Sequence, residues 1–94
     1  MVIGVDIDGT LTIEKEGHDY ARRTPNKKMI DRVNKWYEEG HIIMLFTARW
    51  ESDRKITKQW LKDHRVFHHA LILGKPSFDL YVDDIAKRPE EVCK

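Results

Sequence analysis

The sequence has little of several things, and each shortage excludes something. There is a single cysteine, Cys93, so no internal disulfide is possible and the chain fits a reducing compartment. No apolar stretch approaches the roughly 20 residues of a membrane span. The first apolar run is too short for a signal peptide and ends in two acids. A soluble cytoplasmic protein is therefore expected. Net charge is nearly absent, with 17 basic against 16 acidic residues, so affinity for polyanions cannot be argued from overall charge. There is no repeat and no low-complexity tract. At 94 residues the expectation is one domain, residues 1–94, with a small core.

What is present is a set of apolar runs, each ending in polar residues of a particular kind. Val2 to Val5 reads as a buried strand running into Asp6 and Asp8, followed by Gly9 and Thr10. Side chains two apart on an extended chain point the same way, so both acids would face one site. A hairpin turn is the plainer alternative. Residues 9–24 are polar and turn-rich and read as a flap, with Leu11–Ile13 and Asp19–Ala21 as two arms around Gly17. Thr24-Pro25 reads as an N-cap and first helical position. Met29, Ile30, Val33, Trp36 and Tyr37 follow at helical spacing until Gly40.

Ile42–Phe46 is a second strand, ending in Thr47-Ala48-Arg49. A helix capped by Ser52 or Asp53 carries Ile56, Trp60 and Leu61 inward and runs out near His64. Phe67–Leu73 is a third run, ending in Gly74-Lys75-Pro76. Asp79–Val82 reads as a fourth strand, ending in Asp83-Asp84, and Pro89 begins a short helix. Alternating strands and helices imply a mostly parallel α/β sheet with all strand ends on one edge. Leu73 to Asp79 leaves no room for a crossover helix, which parallel neighbours need. Either the third run is peripheral or the chain crosses the sheet edge irregularly.

These polar groups suit hydrolysis of a phosphate monoester. A carboxylate can attack phosphorus, and a second acid can protonate the leaving alcohol and then activate water. A magnesium ion would offset the repulsion between nucleophile and phosphate. A hydroxyl and an ammonium would hold the phosphoryl oxygens. Asp6, Asp8, Asp83, Asp84, Thr47 and Lys75 supply these parts.

Asp6-Ile7-Asp8-Gly9-Thr10, Thr47, Lys75 and Asp83-Asp84 resemble, in order, the four motifs of the haloacid dehalogenase (HAD) superfamily. The resemblance covers essentially the whole chain. It implies a Rossmann-like three-layer α/β sandwich and an aspartyl-phosphate mechanism. Asp6 would be the nucleophile and Asp8 the general acid/base. Gly9, Thr10, Thr47 and Lys75 would bind phosphate. Magnesium would be held by Asp6, by Asp8 through its backbone carbonyl, and by the motif-four acids, with Asp83 favoured over Asp84. The gaps between motifs are too short for a cap domain, so a capless member is implied. Within the superfamily, Asp6–Thr12, Tyr20–Pro25, Thr47–Arg49 and Gly74–Pro76 with Asp79–Asp84 resemble the small phosphatases of capsule and surface-polysaccharide biosynthesis. That implies a sugar phosphate or similar small substrate. The spacing from Lys75 to Asp83 also resembles deoxyribonucleotidases, so a nucleotide or nucleic-acid end is the alternative. A non-catalytic binding or regulatory domain is a further one.

Arg22 and Arg23, with Lys27 and Lys28, are either a second anion site or a solvated helix start. Arg49 is expected to contact substrate, since it follows Thr47 by two residues. Tyr20 either lines the flap or packs it. The five histidines are too loosely spaced for a metal site. A nucleic-acid polymer is not expected as partner, because there is no basic stripe. A homo-oligomer is expected, because three Trp, three Tyr and three Phe load a thin core.

Overall fold

The computed structural model describes residues 1–93. Three parallel strands, β1 (Val2–Asp6), β2 (Ile42–Phe46) and β3 (Ala70–Ile72), lie in the order β1-β2-β3. Helix α1 (Lys27–Glu38) joins the first two and α2 (Arg54–Asp63) the next two, with a short α3 (Pro89–Val92) near the end. The register sets Asp6 beside Phe46, and Phe46 beside Ile72. The residues that follow all three strands therefore share one edge of the sheet. This is the α/β, Rossmann-like arrangement that the alternating pattern implies.

The core follows from period two in the strands and 3.6 in the helices. Val5, Ile43 and Leu45 meet Met29, Ile30 and Val33 of α1 and Trp60 and Leu61 of α2 in one cluster. Ile3 and Leu71 pack at its margin, as do Val92 and Cys93 after the start of α3. Consecutive right-handed crossovers in one direction put both helices on the same face. The other face is more open: Val2 is 68% exposed and Ile42 42%. The Phe46 ring lies over Gly4, its edge 3.6 Å from where a Cβ would stand.

Several local expectations are corrected. Helix α1 is capped by Asn26, whose side chain accepts from the Met29 N–H at 3.3 Å and donates to the Thr10 carbonyl at 3.1 Å. Thr24 cannot cap, because its N–H and hydroxyl both donate to the Glu14 carboxylate at 2.6 Å. The flap is not a two-armed hairpin. Its base is a single antiparallel bridge between Thr12 and Pro25, and Tyr20–Arg22 form a 3-10 turn. A similar turn, Glu51–Asp53, precedes α2, and Asp53 makes no side-chain cap. Ile56 faces outward at 39% exposure, while Thr57 takes the inward position.

Tyr37 is exposed rather than core, and stacks on His69 at 4.6 Å. Trp36 is half-buried against the core. The fourth strand does not form: Asp79–Val82 is irregular and exposed. The missing crossover between Leu73 and Asp79 is the physical reason. Six residues cannot carry the chain back to start a parallel neighbour.

Candidate active site

Strand β1 ends at Asp6, and the chain then winds tightly around one acceptor. The Ile7 carbonyl takes the N–H groups of Thr10, Leu11 and Thr12 at 3.1, 2.8 and 3.1 Å. Gly9 adopts φ +80°, a left-handed conformation that a side chain disfavours, and a Cβ there would press on Lys15. The Thr12 hydroxyl ties the turn: it donates to the Glu14 carbonyl at 2.6 Å and accepts from the Gly9 N–H at 3.1 Å. This buried threonine, which the motif does not single out, is therefore the residue that shapes the loop. Gly9 N–H is spent on that turn, and the Thr10 carbonyl on Asn26.

Asp6 is partly exposed at the sheet edge, with its carboxylate 3.5 Å from the Lys75 ammonium. Burial raises its pKa above the ordinary value, against the pull of Lys75 and a hydrogen bond from the Ile7 N–H. Lys75 reaches this position because its N–H donates to the Thr47 carbonyl at 2.9 Å, while Gly74 N–H donates to Arg49. These two bonds stitch the loop after β3 to the loop after β2.

Asp8 is in a different setting. Arg49 grips both of its oxygens, Nη2 to Oδ1 at 2.7 Å and Nε to Oδ2 at 3.0 Å, in the paired geometry that suits guanidinium and carboxylate. Arg23 adds a third bond, Nε to Oδ1 at 3.2 Å. The remaining nitrogens of both arginines also donate to protein: Arg49 to the Thr57 hydroxyl at 2.9 Å, Arg23 to the Glu16 carbonyl and to the Gly17 carbonyl at 2.9 Å. Tyr20 lies against both guanidinium groups, 3.9 Å from Arg49 and 5.3 Å from Arg23.

Arg49, expected to contact substrate, and Arg23, a candidate for a second anion site, are both placed against Asp8. Both are buried, and each of their nitrogens donates to Asp8, Thr57 or a flap carbonyl. Arg22 points away, 86% exposed and loosely paired with Asp19. Thr47 stands at the predicted edge but is fully buried, its hydroxyl accepting from the Arg49 N–H at 3.1 Å. Its place is in the wall of the site, where it shapes the loop that carries Arg49.

The magnesium ligand set does not assemble here. Asp83 lies in the exposed segment after β3 and accepts from the Tyr81 hydroxyl at 2.6 Å and the Ile85 N–H at 2.9 Å. Those bonds hold its pKa below the ordinary value. Asp84 is exposed beside it. Among the described residues no three His, Cys, Asp or Glu side chains are grouped as a metal ion needs. The Asp8 carboxylate is bonded to arginine, so its part in such a site would fall to the backbone carbonyl. Asp6 and Asp83 are not brought together as the side-chain ligands the ion would need.

Sequence reasoning missed Thr12, Thr57 and Trp60 as supports of the site. Trp60 Nε1 donates to the Arg23 carbonyl at 3.0 Å, fixing the backbone from which that arginine reaches Asp8. The signal was the inward stripe Thr57, Trp60, Leu61 on α2, which reads as packing alone.

A parallel α/β sheet with Asp-x-Asp at the end of its first strand, and Thr and Lys on the loops beside it, defines a HAD-like domain of the phosphatase type. A family model described as PITM 1-3, LNS2 domain matches residues 2–90, so the chain belongs to the LNS2 domain family. A crystal structure of a structural-genomics target from Vibrio cholerae is similar at a TM-score of 0.85 and 30% identity, over 99% of this chain and 88% of that one. A chain of the Pnkp1/Rnl/Hen1 complex is similar in fold, at a TM-score of 0.70 and 19% identity, over 96% of this chain and 32% of that one. No curated protein matches the chain.

Proposed function

We propose that this domain is a phosphatase that hydrolyses a phosphate monoester through an aspartyl-phosphate, with Asp6 as nucleophile and Asp8 as general acid/base. The observation that carries the reading is the contrast between the two acids. Asp6 is open to ligand and faces a single ammonium, while Asp8 is held in place by two guanidinium groups. A nucleophile needs access, and a proton carrier needs a fixed pose.

The Asp6 carboxylate attacks phosphorus, and the leaving alcohol takes a proton from Asp8. Asp8 then accepts a proton from the water that attacks the acyl-phosphate, and Asp6 is released. Lys75 stands where it can bind a phosphoryl oxygen and stabilise charge in transfer.

The substrate we favour is a sugar phosphate or similar small phosphorylated metabolite. Between β1 and β2 there are only the flap and α1, and between β2 and β3 only the Glu51–Asp53 turn and α2, so neither gap holds a cap domain. A specific feature supports a second substrate class, a nucleotide or nucleic-acid end. A groove of about 740 Å³ along α2 carries Lys55, Lys58 and Lys62, with Arg54 paired to Glu51 in its wall and donating to the Leu71 carbonyl of β3. Turnover of p-nitrophenyl phosphate is expected from the wild type and should vanish in Asp6→Asn. Substantial activity in that variant would contradict the covalent mechanism. A panel of sugar phosphates and phosphorylated oligonucleotides, run over a salt series, then separates the two substrate classes.

A further inference from the structure

Arg23 joins two parts of the molecule that the chain itself does not join. Its Nε bonds the Asp8 carboxylate at 3.2 Å, while its two terminal nitrogens bond the carbonyls of Glu16 and Gly17 at the flap tip. The guanidinium is planar, so these three bonds fix one another's directions. The group is buried, its side chain 4% exposed, and the Tyr20 ring lies over it.

Asp8 is held by three guanidinium bonds. Arg49 contributes the two-point grip and is anchored to Thr57 on α2. Arg23 contributes one bond, the longest of the three, and alone of the two arginines also reaches the flap tip. Without it, the flap tip loses the donors that hold Glu16 and Gly17.

We propose that Arg23 is a positioning residue that latches the flap tip to Asp8, so that order at the flap tip and the pose of the general acid are coupled. The inference rests on the phosphatase reading for its catalytic half only. The flap has an independent base, the two bonds from Thr24 to Glu14, and the Trp60 bond to Arg23 is to its backbone. Variants at the Arg23 side chain therefore keep the fold and loosen the tip.

The experiment measures hydrogen exchange of flap amides 15–19 and steady-state hydrolysis of p-nitrophenyl phosphate on the full chain. Arg23→Gln is expected to speed exchange at those amides by about tenfold or more. Asp8→Asn should speed the same amides, although it lies outside the flap. Arg23→Lys, which can keep one contact, should fall between. In turnover, Arg23→Gln should lower kcat with little change in KM, because Arg23 does not touch the phosphate.

Glu14→Gln loosens the flap base without touching Asp8 and serves as the comparison. If it lowers kcat as much as Arg23→Gln, flap looseness alone explains the loss and the latch is overturned. Unchanged flap exchange in Asp8→Asn overturns it too. A rise in KM alone in Arg23→Gln would make the residue a substrate contact instead. Absence of turnover in the wild type would sink the phosphatase reading, while the exchange arm would still decide the latch.

Discussion

Asp6 and Asp8 are the same residue type two positions apart, yet they carry opposite electrostatic burdens. Asp6 loses more to burial than Lys75 returns, so its pKa is raised above the ordinary 3.8. Folding then favours its protonated form, and the resulting stabilisation is present at low pH and lost as pH rises through the folded pKa. Asp6→Asn is accordingly expected to match or exceed wild-type stability at neutral pH, with the gain shrinking as pH falls. Urea midpoints across a pH series check this, and a clear loss of stability at neutral pH would contradict it. The Arg49 side chain is 1% exposed against Asp8 at 19%. Removing the guanidinium leaves a carboxylate short of partners in a poorly solvated place. Arg49→Ala should therefore destabilise by about 3 kcal/mol, measured by denaturant unfolding. A substrate-facing arginine would cost little stability.

At the scale of elements, the turn after β1 and the segment after β3 behave differently. The turn is bonded to itself, to Asn26 at the head of α1 and to the flap, so it is positioned whatever binds. Residues 73–88 form no strand, and Asp83 is bonded only within its own loop, to Tyr81 and Ile85. Magnesium added to the free protein should thus perturb the carboxyl resonances of Asp6 and Asp83 with separate midpoints. One shared midpoint would mean that the ion draws the segment over Asp6 and assembles the set that the four motifs imply.

At the scale of the whole molecule, apolar side chains remain uncovered at several places, two of them on the sheet and the last loop. Val2 and Ile42 lie open on the second face of the sheet, and Leu80, Val82 and Ile85 stand at about 80% exposure on the last loop. Exposed apolar side chains in such numbers suit contact with another chain. A homo-oligomer at micromolar concentration is expected, weakened by Leu80→Glu with Val82→Glu. Sedimentation as a monomer would contradict it. No helix among the described residues is long and apolar enough to cross a membrane.

The three strands, the two long helices and the Asp-x-Asp turn were legible in the sequence, because periodicity and motif order are properties of neighbouring residues. The HAD-like class was legible for the same reason. The partners of the charged groups were not. Arg49 reaches Asp8 across 41 positions and Arg23 across 15, and nothing local tells a substrate-binding arginine from one that grips an acid. The fourth apolar run failed as a strand because pairing is a property of two segments and the path between them. Thus the order of residues determined which acids stand at the end of β1. Only the tertiary structure decided that one is open to ligand and the other held by two arginines, because burial and ion pairing are set by what the rest of the chain brings near.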